Sequence, residues 1–296
     1  MIKHDYLKGI TAIILSSIFF SAMAGMVRYV SYIDSYKTAL YRFVIGFSLL
    51  GTAAIIGKIN LTFNNGKILF LRGLLSGLSV FIFYLTISKI GLAKATVLGY
   101  SFPIFATIGS VLILKEKVPF SKWLLIFISF IGIFLISTSK GEGFSNIGVY
   151  ELVAILGACI SGIALVTLKK LHDTDSSYAI FFAQCAIGIW LVIIPANIIP
   201  CKIGISGGVI LLLIGITAAV GQLLCTYSYK YFSVSTGSIL EMLSPVLNIF
   251  IGIIIFGEFV SVKGIIGMVI VLGSCLLLLV EKESNCKNPE AKNEGC

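Results

Sequence analysis

The feature that most constrains this chain is a series of ten apolar runs, each about 20 residues long and separated by short polar breaks. A helix of about 20 apolar residues is long enough to cross the hydrocarbon core of a bilayer. The sequence therefore predicts an all-α polytopic membrane protein with ten transmembrane helices. The runs lie near 10–30, 37–56, 68–88, 92–114, 122–138, 149–168, 177–197, 208–229, 236–256 and 264–280.

The composition agrees with this fold class. Of the 296 residues, 58% are hydrophobic and only 12% are charged, whereas about a quarter of the residues of a soluble domain are charged. The net charge of +9 comes from basic residues scattered in ones and twos between apolar runs, which is typical of membrane loops and not of a phosphate-binding face. Nucleic acid is therefore excluded as a partner. The polar tail, 283–296, is predicted to be disordered.

An internal repeat divides the chain into two halves. Sliding the sequence by 142 positions aligns the following pairs of identical residues: Ala22 with Ala164, Ser35 with Ser177, Gly73 with Gly215, Pro103 with Pro245 and Glu116 with Glu258. We therefore expect a first five-helix repeat at 1–140 and a second at 141–282. The N-terminal run resembles a signal peptide, but its place in the repeat favours a retained helix.

Because five helices are an odd number, the second repeat enters the membrane from the opposite side and is inverted. Inverted repeats present one central site alternately to either face in transporters. With the N-terminus inside, fourteen of the 22 Lys and Arg residues, Arg72 among them, fall in inner loops. Seven fall at or near the outer side. This bias predicts that both termini are cytoplasmic.

Two patterns resemble a known family. "ALYRFVIGF" on the second helix resembles the Arg-Phe signature of EamA-type transporters of the drug/metabolite transporter superfamily. "ILKEKVPFSKWLLIFISFIGIFLI" and "IFGEFVSVKGIIGMVIVLGSCLLLL" resemble its repeated pattern of a Glu, a short turn and a Gly-bearing helix. The resemblance covers about residues 8 to 282 and implies a secondary transporter of small metabolites in a bacterial-type inner (plasma) membrane. The family's substrates range over amino acids, amines, nucleosides, sugars and drugs.

Arg42 lies inside the apolar run of the second helix, where a guanidinium costs on the order of 3 kcal/mol at mid-bilayer. It is about five residues, or roughly 7 Å, from the outer helix end. We favour a structural role, with hydrogen bonds to neighbouring helices, over substrate contact. The second repeat carries Gln184 at the equivalent position.

Pro103 and Pro245 occupy equivalent positions on helices four and nine, and each frees a backbone carbonyl one turn earlier. In a membrane, a freed carbonyl must face protein, water or ligand. Both a packing kink and a part of the binding site remain open for this pair.

Glu241 is the most informative acidic residue. Together with Ser238, Ser244, Asn248 and Gly252 it forms a stripe on one face of helix nine, which we expect to line a central cavity. We take Glu241, Ser244 and Asn248 as candidate substrate-binding residues. The matching face of helix four has no carboxylate, so we expect the cavity to be charged on one side only. The rival interpretation places Glu241 at the cytoplasmic interface.

Tyr84 and Tyr100 are the aromatic residues that we select as substrate contacts. Gly73 and Gly215, each followed four residues later by a small residue, predict close helix packing.

No enzyme chemistry is indicated. The two histidines, His4 and His172, and all aspartates fall in loops, so no triad, metal site or cofactor is predicted. The sequence therefore predicts a secondary active transporter that works by alternating access on a small molecule, with a coupling proton as a further partner. A non-coupled pore or a lipid-handling scaffold is the alternative. A monomer and a homodimer both remain open.

Overall fold

A computed structural model describes residues 2–90, 92–138, 148–198, 203–257 and 261–287. These residues form twelve helices. In chain order they are α1 (Ile2–Tyr29), α2 (Ser35–Ile55), α3 (Gly66–Ile90), α4 (Leu92–Gly99), α5 (Phe102–Ile113), α6 (Phe120–Thr138), α7 (Val149–Leu171), α8 (Ser177–Ile198), α9 (Ile205–Ser228), α10 (Val234–Glu241), α11 (Leu243–Phe256) and α12 (Val262–Lys287). The tail predicted to be disordered lies largely outside the described residues.

The twelve helices make ten spans. Eight of the predicted runs each form one helix, whereas the fourth forms α4 and α5 and the ninth forms α10 and α11. Eight spans are long and apolar enough to cross a membrane, and two shorter apolar helices, Phe120–Ile136 and Val262–Leu278, bring the number to ten in the described part of the chain. The predicted ten-helix architecture is confirmed.

The helix contacts follow the two-fold relation that an inverted repeat requires. The pair α1 and α9 is equivalent to the pair α7 and α3, and both pairs pack extensively. The pair α2 and α9 is likewise equivalent to the pair α8 and α3. The pair α5 and α7 is equivalent to the pair α11 and α1. Two self-equivalent pairs, α2 with α8 and α6 with α12, lie across the pseudo-axis. Each repeat thus packs mainly against the other.

Short polar side chains cap the first turns of several helices, α2 and α10 among them. Asp34 caps α2, and its carboxylate accepts backbone hydrogen bonds from Tyr36 at 2.9 Å and Lys37 at 3.3 Å. Ser233 caps α10 by accepting from the backbone N–H of Thr236 at 3.3 Å. Such caps satisfy N–H groups that the first turn of a helix leaves unpaired.

Glycines set the distance between helices from opposite repeats. A Cβ atom at Gly73 of α3 would collide with the side chain of Ile187 on α8. At the equivalent position on α9, a Cβ atom at Gly215 would collide with Ile45 on α2. The backbones approach closely because neither position carries a side chain.

The two repeats are tied together at the face where α1 begins, which we call the terminal face. The loop after α2 meets the loop after α7: the backbone N–H of Asn64 donates to Oδ1 of Asp175 at 2.8 Å. The side-chain amide of Asn64 donates to the carbonyl oxygen of Thr174 at 2.6 Å. Ser176 Oγ donates to the carbonyl oxygen of Asn60 at 3.3 Å.

Two further contacts close the same face. Lys122 Nζ, at the start of α6, donates to Oγ1 of Thr236 on α10 at 3.0 Å. The ring of Tyr6 on α1 packs edge-on against Phe232, with 5.2 Å between the ring centroids. At the terminal face, contacts between the repeats therefore involve both loops and helix ends.

Candidate substrate-binding cavities

Two adjoining cavities lie between the repeats. The one farther from the terminal face, here the distal cavity, has a volume of about 250 Å³. Its wall comes mainly from α3, α4 and α7, with single residues from α1, α2 and α5. The lining residues used below are Arg42, Val80, Ile82, Phe83, Tyr84, Gly99, Tyr100 and Phe102.

The second cavity, here the proximal cavity, lies nearer the terminal face and has a volume of about 160 Å³. It is lined by polar residues from both repeats, among them Arg72, Ser76, Gln184, Gln222, Cys225 and Glu241. The two cavities share Ser79, Val80, Phe102 and Ser161 as wall residues. The two cavities therefore adjoin each other at these four residues.

Glu241 is the last residue of α10 and is partly buried in the wall of the proximal cavity. The thiol of Cys225 on α9 donates a hydrogen bond to its Oε1 at 2.7 Å. The guanidinium of Arg72, in the wall of the same cavity, acts on this carboxylate electrostatically. Glu241 thus lies in a cavity wall, and the substrate-binding role assigned to it stays a prediction.

The helix breaks coincide with the cavity walls. Pro103 lies in the first turn of α5, and α4 ends at Gly99, whose carbonyl is the one that a proline at 103 leaves without its helical donor. Pro245 stands in the same relation to Glu241 at the end of α10. Gly99 lines the distal cavity and Glu241 the proximal cavity. The two mirrored prolines thus place one helix end at each cavity.

Arg72 is the residue that the sequence analysis placed wrongly. We expected it in a cytoplasmic loop, but it lies on α3 with only 4% of its surface exposed and lines the proximal cavity. Its guanidinium donates to Ser76 Oγ, and the Ser76 hydroxyl donates back to the carbonyl oxygen of Arg72 at 2.6 Å. Arg72 falls inside the apolar run 68–88, and that was the signal available in the sequence.

The position of Arg72 corrects a second expectation. We expected the cavity to be charged on one side only, because helix four lacks a carboxylate. The proximal cavity instead has a guanidinium from α3 and a carboxylate from α10 in its wall. The opposing charge comes from helix three, which the comparison of helices four and nine did not consider.

Arg42 is partly buried and lines the distal cavity. Its Nη2 donates to Oε1 of Gln222 on α9 at 3.2 Å, and its guanidinium carbon lies 5.8 Å from the ring centroid of Phe20 on α1. Glu241 lines the other cavity. Gln184, the equivalent of Arg42 in the second repeat, also lines the proximal cavity.

The other predicted contacts divide into two groups. Tyr84 and Tyr100 both line the distal cavity. Ser244 is buried at the start of α11, where its carbonyl oxygen accepts from Ser21 Oγ at 3.3 Å.

Asn248 is exposed and is not among the residues that line the two cavities. The break at Met242 ends α10, so the predicted stripe does not continue along one cavity wall.

Metal binding finds no support in the part of the chain that the structure describes, where no three His, Cys, Asp or Glu side chains cluster closely enough to hold an ion.

Sequence comparison places the chain among transporters. Over 280 residues it is 26% identical to the pseudopaline exporter CntI of Pseudomonas aeruginosa, covering 93% of this chain and 97% of that protein. Over 289 residues it is 25% identical to the S-adenosylmethionine uptake transporter of Rickettsia conorii, covering 94% of each. A solved crystal structure shares the fold, with a TM-score of 0.79 at 17% identity over 97% of this chain and 99% of the other.

The family pattern extends over both repeats. The sequence pattern of the EamA-like transporter family matches residues 7–138 and again residues 148–280. These two segments contain all the residues of both cavities named above. The chain therefore belongs to the EamA-like transporter family of integral membrane proteins.

Proposed function

We propose that this protein is a secondary active transporter that moves a small metabolite, such as an amino acid, an amine or a related compound, across the plasma membrane by alternating access. The observation that carries the proposal is the pair of adjoining cavities between two inverted repeats, with charged side chains and helix ends in their walls. Relatives named as an exporter and as an uptake transporter support transport and leave its direction open.

The proposed substrate contacts are Glu241 and Arg72 in the proximal cavity and Tyr84 and Tyr100 in the distal cavity. Ser244 is proposed as a neighbour of this site. Asn248 is not retained, because its exposed side chain is not part of either wall. We further propose that the two repeats occupy 1–140 and 141–282.

The contacts at the terminal face are the proposed gate. The hydrogen bonds from Asn64 to Thr174 and Asp175 join loops of opposite repeats at the terminal face. Alternating access requires that such contacts break when the repeats rock against each other. With both termini in the cytoplasm, this arrangement is closed on the cytoplasmic side.

Counterflow tests the function. A substrate is first found by screening a metabolite library for compounds that raise the melting temperature of the purified protein. Proteoliposomes are then loaded with an excess of the unlabelled compound, and uptake of the labelled compound is measured. A carrier shows faster, transiently concentrative uptake in loaded vesicles.

The alternative, a non-coupled pore, gives the same uptake rate in loaded and empty vesicles. A lipid-handling scaffold gives no protein-dependent uptake in either. Either outcome would overturn the proposed function.

A further inference from the structure

We propose, on the basis of the transporter function above, that the proximal cavity binds the zwitterionic head of an α-amino acid. The substrate carboxylate lies against Arg72, and the substrate ammonium lies against Glu241 and Gln184. The side chain of the amino acid extends into the distal cavity.

Two buried polar atoms on residues of this wall have no protein partner in the described part of the chain. The Nε of Arg72 has no hydrogen-bond partner among the described residues, although the side chain is only 4% exposed. The Oε1 of Gln184 is also unpaired, with 3% of the residue exposed. Buried donors and acceptors are almost always paired, so an unpaired donor and an unpaired acceptor in one wall indicate a ligand that supplies both partners.

The charges in the wall select a zwitterion. A guanidinium binds a carboxylate with short, charge-assisted hydrogen bonds, and a carboxylate does the same for an ammonium group. A purely cationic ligand brings no negative charge to Arg72. A purely anionic ligand brings no positive charge to Glu241. Arg72 and Glu241 already carry opposite charges in the same wall. A ligand with a single charge would add an unbalanced buried charge, which is costly, so a ligand that carries both charges fits this wall better than either.

The carboxylate of Glu241 keeps acceptor capacity for the ligand. The thiol of Cys225 uses one site on Oε1, whereas an ionised carboxylate offers about four lone-pair sites. Gln222, the other amide in this wall, already accepts a hydrogen bond from Arg42 through its Oε1. Gln184 is therefore the amide whose oxygen can join Glu241 in binding an ammonium group.

The distal cavity determines the side chain of the substrate. Beyond the shared wall residues Val80 and Phe102, its lining includes Ile82, Phe83 and Tyr84. An apolar or aromatic side chain gains burial against this surface. The expected substrates are neutral amino acids with large apolar or aromatic side chains.

Ligand pairs test this inference on the unmodified protein. The twenty common L-amino acids are titrated against protein in nanodiscs by calorimetry. The tightest binder is then compared with its decarboxylated amine and its deaminated acid. We expect the tightest binder to have a large apolar or aromatic side chain, and both truncated compounds to bind about 10- to 100-fold more weakly, because each loses a charge-assisted contact. If no amino acid binds, or if either truncated compound binds as tightly, the inference is wrong.

Two variants assign the ends of the ligand. Glu241→Gln should weaken the binding of the amino acid and of its decarboxylated amine. The affinity for the deaminated acid, already weak, should not change. Arg72→Gln should weaken the binding of the amino acid and of the deaminated acid but not the binding of the amine. Ser274→Ala, which changes a buried residue outside both cavities, is the matched control and should leave all three affinities unchanged.

Two outcomes separate this inference from the proposed function. If Arg72 and Glu241 interact only with each other, the variants lower the melting temperature without changing the ratio of the three affinities, and the inference fails. If counterflow occurs with a compound that is not zwitterionic, the transporter function stands and the zwitterion is rejected.

Discussion

At the scale of single residues, the charged groups of the site were partly predictable. Glu241 and Arg42 were recognised because each interrupts an apolar run. Arg72 interrupts one as well, but its nearness to the start of α3 made it resemble a loop residue, and only the packing of α3 against α7 and α8 shows that it is buried. The bond from Arg42 to Gln222 joins helices far apart in the sequence, and no local pattern encodes it.

Replacing Glu241 by Gln keeps its size but removes its charge and its titration. We expect the affinity for substrate to fall by a factor of about 10 to 100, as for the loss of a charge-assisted contact. If the carboxylate also carries the coupling proton, substrate exchange persists at saturating substrate while uphill accumulation driven by a pH gradient disappears. Binding assays on a correctly inserted variant measure the affinity, and transport assays measure exchange and uphill accumulation. Unchanged affinity together with unchanged accumulation would remove Glu241 from the mechanism.

Replacing Arg42 by Ala should lower the yield of folded protein more than it lowers substrate affinity. The change removes a hydrogen bond from a charged group to Gln222, a contact of about 1.5–3 kcal/mol. Size-exclusion chromatography of solubilised membranes measures the yield. Tyr41→Ala, at a neighbouring exposed position that lines neither cavity, is the control. A well-folded Arg42→Ala protein that has selectively lost binding would show that the guanidinium contacts substrate.

At the scale of helices, run length and proline positions predicted the elements well. Ten runs became ten spans, because a bilayer-crossing helix needs a long apolar segment that is visible in the sequence. The prolines indicated where spans four and nine are interrupted. The sequence did not predict which side chains face the cavities beyond each break, because that depends on how the second helix segment is rotated. Asn248 was misplaced relative to the cavities for this reason.

Helix α9 offers a matched pair of glycines for testing the packing. A Cβ atom at Gly215 would collide with Ile45, whereas one at Gly208 has no neighbour within 4 Å. Gly215→Ala should lower the melting temperature, since overpacking costs about 1–3 kcal/mol. Gly208→Ala should leave it unchanged or raise it slightly, because alanine favours helix more than glycine does. Equal melting temperatures for the two variants would mean that α2 and α9 are not packed closely at Gly215.

At the scale of the whole molecule, neither repeat forms the proximal cavity alone. Arg72 comes from the first repeat and Glu241 from the second, and the proximal cavity lies between them. The duplication was visible as a constant offset in the sequence, and the inverted arrangement followed from the odd number of helices. The contacts at the terminal face were not predictable, because they join loops about 110 residues apart in the chain.

The orientation of the molecule in the membrane can be tested at two loops. In a background without native cysteines, Asp173→Cys, in the loop after α7, should react with an impermeant maleimide only after the membrane is opened. Ser31→Cys, in the loop after α1, should react in intact cells. Both side chains are exposed at opposite faces. Labelling of Asp173→Cys from outside would reverse the proposed topology.

The central claim is that one site between the repeats opens to each side of the membrane in turn. Ser161 lines both cavities, so Ser161→Cys in a cysteine-free background reports access to that site. We predict labelling by an impermeant maleimide in right-side-out vesicles and also in inside-out vesicles. A chemical cross-link between Asn64→Cys and Thr174→Cys, introduced before Ser161→Cys is exposed to label, should abolish only the labelling from the terminal face. Labelling from both sides that survives this cross-link, or no labelling from either side, would contradict alternating access.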